Sequence, residues 1–375
     1  MKKKHQKHAK LARPKQGHFG WRDISIVGTP CGDIQQLAFA LTEALSKDGY
    51  QIGYVDADHK SANEAAEQAG KSHTALSFGG SLEYTDKITH HRFEQKAELD
   101  SYQYRNYFNG QDLVLVNGNH FRAAAQIVVL DSRKEKSLQK RLDQLTNVIV
   151  LLRVGDATVP DSLKEQLPNW QQLPMLAIDE VEALTNILRK RLQKSIAPLS
   201  GLVLAGGKSR RMGKDKSLIN YHGRPQREYL YEMMVPHCID TFMSCRPEQI
   251  ASFIMYPGLP DSFLGLGPFG GILSAFRQNP NSAWLTVACD LPLLDAAALQ
   301  YLIDHRDTSK VATAFHNPAT GFPDPLLTIW EPRAYPILLQ FLAQGYSCPR
   351  KVLINSDKPA APRWSVADRE NQWPD

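Results

Sequence analysis

Residues 199–216 read Leu199-Ser200-Gly201-Leu202-Val203-Leu204-Ala205-Gly206-Gly207-Lys208-Ser209-Arg210-Arg211-Met212-Gly213-Lys214-Asp215-Lys216. The first six form a short apolar run of strand length, and Gly206-Gly207 interrupt it. Two glycines directly after a buried strand let the main chain approach a ligand with no Cβ in the way. Lys208, Arg210, Arg211, Lys214 and Lys216 then place five cations within nine residues. Like charges at that spacing repel unless an anion or neighbouring carboxylates offset them. The stretch reads as a strand delivering a polyphosphate-binding loop. A glycine-rich turn with a solvated basic face has the same local composition, so the rest of the chain has to separate the two.

Downstream, the pattern predicts helices at about 225–235, 270–278, 296–304 and 332–343, with strands at 239–244, Trp284–Ala288, 310–315 and Leu326–Trp330. Upstream, Ile24-Ser25-Ile26-Val27 reads as a strand, followed by a helix with Leu37, Ala40, Leu41, Ala44 and Leu45 on one face. Further strands fall at Tyr50–Val55, Leu113–Val116, Ile127–Leu130 and Val148–Val154, and a polar helical segment at Lys134–Thr146. Asp179–Lys194 reads as a closing helix with Asp179 as its cap, and Ser195-Ile196-Ala197-Pro198 breaks the pattern. Strands that alternate with helices and are apolar on both faces imply parallel α/β sheets. The expected organisation is a basic flexible tail at 1–22 and two three-layer α/β domains, at 23–195 and 196–375.

Composition narrows the class. A chain of 375 residues is long enough for two cores, and 42% hydrophobic with 22% charged residues describes a soluble globular protein. There is no run of about 18 apolar residues for a membrane span. The basic start lacks the apolar stretch of a secretory signal. Five scattered cysteines with no C-x-x-C pair argue against a zinc site or a disulfide framework and fit a reduced, cytoplasmic setting. Much of the positive charge lies in the first 22 residues, whose aromatics Phe19 and Trp21 follow the basic run rather than interleave with it, so no nucleic-acid partner is expected.

The thirteen-residue string Leu204–Lys216 resembles the L-A-G-G-x-S-x-R-M-G-x-D-K signature of the molybdenum cofactor guanylyltransferase (MobA) family. Two further segments resemble that family in order. Gly267-Pro268-Phe269-Gly270-Gly271-Ile272-Leu273 is similar to its G-P-L-x-G loop, and Trp284–Pro292 to its strand ending in C-D-x-P. The resemblance covers about 196–355 and implies a Rossmann-like nucleotidyltransferase fold with a mostly parallel sheet. It also implies that Leu204, Ala205, Gly206, Gly207, Lys216, Asp261 and Asp290 bind GTP, and that Asp290 holds Mg²⁺. Asp290, at the end of a strand, is also a hard oxygen ligand suited to that ion. Lys216, Arg211 and Asp290 are the candidate catalytic residues, with Arg210 beside Arg211. Arg350 and Lys351, at a helix start, are weaker candidates for an anionic phosphate. Two features depart from the family: Met243-Ser244-Cys245-Arg246 stands where it has an asparagine, and Glu370–Asp375 replaces its N-x-N-T-P.

In the first half, Gly28-Thr29-Pro30-Cys31-Gly32-Asp33-Ile34 sits between strand and helix, where a phosphate loop belongs. A working loop ends in Gly-Lys-[Ser/Thr]; here Asp33 would repel phosphate and Ile34 cannot ligate a metal. Asp112-Leu113-Val114-Leu115-Val116-Asn117-Gly118 resembles a strand of the MobB family, with Asn117 in place of its acidic residue. The reading is a P-loop-like, MobB-like domain kept for binding or docking rather than turnover. Asp56, Asp58 and His59 could ligate a metal, or serve as strand-end caps.

The activity implied is transfer of GMP from GTP to Mo-molybdopterin with release of pyrophosphate. The partners implied are GTP, Mo-molybdopterin, and molybdoenzymes or their chaperones. Two alternatives stay open: a cytidylyltransferase using CTP, and a non-catalytic nucleotide- or pterin-binding protein. Sugar-1-phosphate nucleotidyltransferases continue toward R-L-x-P-L, which Met212–Lys216 does not follow.

Overall fold

The computed structural model describes residues 18–57, 74–100, 103–206, 216–253, 255–317, 320–356 and 364–367. The chain divides into two compact units, Met1–Lys194 and Ser195–Asp375. In the first, the strands are β1 (Asp23–Val27), β2 (Ile52–Val55), β3 (Leu82–Asp86), β4 (His91–Gln95), β5 (Leu113–Asn117), β6 (Ala125–Leu130), β7 (Val148–Arg153) and β8 (Met175–Ala177). Its helices are α1 (Cys31–Lys47), α2 (Gln103–Phe108), α3 (Glu135–Gln139), α4 (Asp161–Gln166) and α5 (Val181–Lys194).

Six of these strands form one sheet in the order β2-β5-β1-β6-β7-β8, with parallel pairing throughout. Side chains along a strand alternate between faces, and here both faces are buried. Ile24 and Ile26 of β1, with Ile127 and Val129 of β6, pack against Leu37 and Leu41 of α1 and Leu184 and Leu188 of α5. Val27, Val128, Leu130 and Leu151 face the other way onto Leu138 and Leu163. This is the three-layer arrangement read from the unalternating apolar runs.

Two expectations for this unit are corrected. The segment Lys134–Thr146 is not one helix: α3 spans five residues and is flanked by short 3₁₀ turns at Ser132–Lys134 and Leu142–Gln144. Leu138, Leu142 and Leu145 keep helical spacing and pack into the core, but the backbone reaches them through a five-residue helix and a separate 3₁₀ turn rather than one continuous helix. The closing helix starts at Val181, so Asp179 lies before the cap position. The hairpin β3–β4 and strand β8 are additions that the pattern did not signal.

In the second unit the strands are β9 (Leu199–Leu204), β10 (Thr241–Cys245), β11 (Gly258–Pro260), β12 (Ala283–Ala288), β13 (Ala312–Asn317), β14 (Phe322–Trp330) and β15 (Trp364–Ala367). The helices are α6 (Gln226–Met234), α7 (Pro268–Gln278), α8 (Ala296–Asp304), α9 (Ala334–Ala343) and α10 (Pro349–Asn355). The sheet order is β11-β10-β9-β12-β14-β13-β15. Pairing is parallel from β11 to β12 and between β13 and β15, and β14 runs antiparallel to both its neighbours. One face packs Val203, Leu285 and Ile329 on α6 and α8, through Leu230, Met234, Leu299 and Leu302. The other packs Leu202, Trp284 and Trp330 on α7, α9 and α10. No described helix is long and apolar enough to cross a membrane.

Candidate active site

The parallel strands of the second unit end together. Leu204, the last residue of β9, pairs with Ser244 of β10 on one side and with Ala288, the last residue of β12, on the other. The row Ser244–Leu204–Ala288 therefore marks the carboxyl edge of the sheet, where open α/β sheets bind ligands. Ala205 and Gly206 leave this edge from β9, Asp290 follows two residues after Ala288, and Asp261 follows β11 directly. The Asp261 amide donates to the Cys245 carbonyl at 2.8 Å, which holds Asp261 beside the end of β10.

Close packing explains two of the glycines. A Cβ on Gly206 would lie 3.3 Å from Cys245 Cα, so a side chain there would press on the β10 backbone. A Cβ on Gly271, in the first turn of α7, would lie 2.8 Å from Ser244 Oγ and 3.0 Å from Leu204 Cδ2. The start of α7 thereby sits directly on the row at the sheet edge. Its cap residue Gly267 has φ +59°, and Pro268 opens the helix.

Ser244 Oγ donates to Asp261 Oδ1 at 2.8 Å. Burial pushes the Asp261 carboxyl up to about 6, against which the Ser244 hydrogen bond works. A partly desolvated carboxylate at this sheet edge remains a hydrogen-bond acceptor. The Cys245 thiol beside it is pushed up by burial to about 11, so it is a neutral packing group.

Asp290 is exposed, and no described residue ties its carboxylate down. Mg²⁺ is commonly held by one or two protein carboxylates, with water and substrate phosphates completing the octahedron. A single free carboxylate at a strand end fits that pattern. Among the described residues, no group of three or more His, Cys, Asp or Glu could form an all-protein metal cage.

Of the residues singled out in the sequence, Leu204, Ala205, Gly206, Asp261 and Asp290 lie at this one edge. Gly207, Lys208, Arg210, Arg211 and the remainder through Asp215 lie outside the described residues, as do Glu370–Asp375. Lys216 opens a 3₁₀ turn, Lys216–Leu218, and its side chain is outside the description. Arg350 is exposed on the first turn of α10, and Lys351 Nζ sits 5.8 Å from the centroid of the Tyr346 ring.

Two residues of this edge escaped the sequence reading. His222 Nε2 donates to the Pro292 carbonyl at 2.8 Å, and Gln226 Nε2 donates to the Leu291 carbonyl at 3.1 Å. A signal for the second existed: Gln226, Leu230 and Met234 share one buried face of α6, so an amide stands in an apolar stripe.

In the first unit, the loop after β1 is occupied by its own side chains. Arg133 donates to Asp33 Oδ2 at 2.6 Å and to Asp131 Oδ2 at 2.7 Å, while Thr29 Oγ1 donates to Asp131 Oδ2 at 2.7 Å. The Arg133 hydrogen bonds, foremost, hold the Asp131 carboxyl down at about 2. Asn119 Nδ2 donates to the Thr29 carbonyl at 2.9 Å, closing the loop from the other side. Asn117 Nδ2 donates to Asp56 Oδ1 at 2.8 Å and Tyr54 OH to Asp56 Oδ2 at 2.6 Å, so Asp56 serves as a strand-end acceptor. An acidic side chain at 117 would face Asp56 and repel it, which gives the asparagine a local reason. Asp58 and His59 are outside the described residues.

The family described as the MobA-like NTP transferase domain matches residues 201–359. A molybdenum cofactor biosynthesis bifunctional protein of Synechocystis sp. is 40% identical over 165 residues, covering 44% of this chain and 48% of that protein. The matched region thus spans about half the length of that relative. A molybdenum cofactor guanylyltransferase of Pseudomonas putida is 30% identical over 171 residues, covering 43% of this chain and 84% of the relative. Among solved structures, molybdopterin-guanine dinucleotide biosynthesis protein A from Archaeoglobus fulgidus superposes with a TM-score of 0.36 at 24% identity, over 41% of this chain and 78% of that one. A MobB protein homolog from Bacillus stearothermophilus gives 0.32 at 15% identity, over 46% and 98%.

Proposed function

Because the chain belongs to the molybdenum cofactor guanylyltransferase family, we propose that residues 196–375 transfer GMP from GTP to Mo-molybdopterin and release pyrophosphate. The observation that supports this reading best is the common edge formed by Leu204, Ala205, Gly206, Ser244, Asp261 and Asp290 at the ends of adjacent parallel strands. Leu204, Ala205, Gly206 and Gly207 bring main chain to the nucleotide, and Asp261 accepts from it. Lys216, with Arg210 and Arg211 on the same loop, balances the negative charge of the triphosphate.

A terminal phosphate oxygen of molybdopterin attacks the α-phosphate in line, and the bond to pyrophosphate breaks. That oxygen is already ionised, so the residues need supply no strong base; positioning and charge neutralisation carry the rate. Asp290 would hold Mg²⁺, which supplies charge stabilisation at the α-phosphate and the departing pyrophosphate.

Residues 23–195 are, in this proposal, a MobB-like unit whose loop is sealed by Asp33, Arg133 and Asp131 and which docks rather than hydrolyses nucleotide. The setting proposed is cytoplasmic, with molybdoenzymes or their chaperones as downstream partners. The test offers GTP, CTP and ATP in turn to purified full-length chain with Mg²⁺ and molybdenum-loaded molybdopterin. Dinucleotide and pyrophosphate from GTP alone support the proposal. Product from CTP would make it a cytidylyltransferase, and binding without product a carrier.

A further inference from the structure

Asp290 has an exposed carboxylate with no side-chain partner among the described residues, so its place is set by the backbone around it. That backbone is a turn, Cys289-Asp290-Leu291-Pro292, in which Pro292 contributes no N–H. The internal bond near it is Leu294 N to the Leu291 carbonyl, at a long 3.3 Å. Two side chains from one neighbouring segment reach across and grip the turn. Gln226 Nε2 donates to the Leu291 carbonyl at 3.1 Å, and His222 Nε2 donates to the Pro292 carbonyl at 2.8 Å.

The chemistry of each donor is unusual for a purely structural contact. Gln226 is fully buried in the first turn of α6, on the face that otherwise carries Leu230 and Met234. The carbonyl it faces fixes which end of the amide is nitrogen, and its Oε1 then has no partner. A desolvated amide oxygen without a donor costs stability, and leucine at this site would avoid that cost. His222 is stacked on Tyr229, with centroids 4.0 Å apart and planes at 19°, so its ring is held before it meets Pro292. Donation to a carbonyl requires the proton on Nε2.

We propose that His222 and Gln226 are positioning residues that clamp the Leu291 and Pro292 carbonyls and thereby aim Asp290. This rests on the reading of Asp290 as the metal-holding carboxylate. Geometry at such a ligand matters because a misplacement of about 1 Å can cost about 100-fold in rate. Neither residue touches substrate; both act through the turn.

The test uses full-length protein and two variants, Gln226→Leu and His222→Phe. The first removes the donor together with the orphan acceptor, and the second keeps the stack on Tyr229 and lies at the surface, so it folds even if the first does not. Three quantities are read: hydrogen exchange at the Asp290, Leu291 and Leu293 amides, Mn²⁺ affinity in the presence of GTP by electron paramagnetic resonance, and kcat against KM for GTP. The expected result is a melting temperature near that of the wild type, faster exchange confined to the turn, several-fold weaker Mn²⁺ binding, and kcat down about tenfold with KM little changed. Wild-type exchange, Mn²⁺ affinity and kcat in both variants would overturn the clamp. Asp290→Asn separates the two levels. If that variant binds Mn²⁺ as tightly as wild type, the metal reading fails, and the exchange data alone then decide whether the turn is clamped.

Discussion

Ser244 Oγ lies 2.8 Å from Asp261 Oδ1, and this hydrogen bond joins the end of β10 to the residue that follows β11. Burial holds the Asp261 carboxyl at about 6, above its ordinary 3.8, so the folded protein prefers it protonated. Any stability this gives is fully present below about pH 3.8 and is lost as pH rises through about 6. Asp261→Asn therefore melts at a higher temperature than wild type at about pH 8, and the gain vanishes toward about pH 4. The same variant binds GTP about tenfold or more weakly, because a charged acceptor is gone. Thermal melts and GTP titrations at the two pH values check both halves. A variant neither stabilised at high pH nor weakened for GTP would leave Asp261 without this role.

Gly271 packs against that same serine. A methyl group there would sit 2.8 Å from Ser244 Oγ, so Gly271→Ala forces either that hydroxyl, and with it the bond to Asp261, or the α7 start to shift. Overpacking of this kind costs about 1–3 kcal/mol. Because the hydroxyl is the nearest atom, Ser244→Ala relieves part of the strain, and the double variant is less destabilised than the two single changes added together. Urea unfolding of the three variants measures the coupling. Strict additivity would mean that the two residues do not share this contact.

The sheet cores were legible because both units bury their strands on both faces. Apolar runs such as Leu113–Val116 and Ile127–Leu130 are too short for buried helices and do not alternate, so they read as strands buried on both faces. The antiparallel insertion of β14 between β12 and β13 was not legible, since a strand buried on both faces reads the same in either direction. At the site, Leu204–Gly206, Asp261 and Asp290 were singled out through three separate segments that resemble one family, and the fold brings these segments to one sheet edge. The bond from Ser244 to Asp261 and the grips of Gln226 and His222 were not, because each is a side-chain contact between residues 17 to 70 positions apart. The seal on the first unit's loop was half legible: Asp33 in the lysine position was plain, but its cation, Arg133, is 100 residues away.

Arg133 bridges Asp33 and Asp131, and Arg133→Ala leaves two carboxylates facing each other across Thr29. The first unit should melt earlier as a result. Asp131, held down at about 2 against an ordinary 3.8, gives stability present above about pH 3.8 and lost as pH falls through about 2. The gap between variant and wild type is therefore full at neutral pH and narrows between about pH 4 and pH 2. Circular dichroism melts across that range check it. A gap independent of pH would place the cost in packing rather than in this ion cluster.

Asp290 is the most informative position for the chemistry itself. It follows the buried β12 at the sheet edge, and its carboxylate is exposed. Replacing it with alanine removes a surface side chain, so the melting temperature should stay near that of the wild type. Turnover, in contrast, should fall about 100-fold or more, equivalent to about 3 kcal/mol of barrier. Raising Mg²⁺ should not restore it, because the ligand rather than the ion is missing. Lys216→Ala makes the contrasting case: it removes a cation from the triphosphate, so GTP affinity should fall together with rate. The measurement is pyrophosphate release against GTP and Mg²⁺ concentration for both variants. Near-normal release by Asp290→Ala would remove this residue from the metal site, while a loss that excess Mg²⁺ rescues would make it a weak, outer contact.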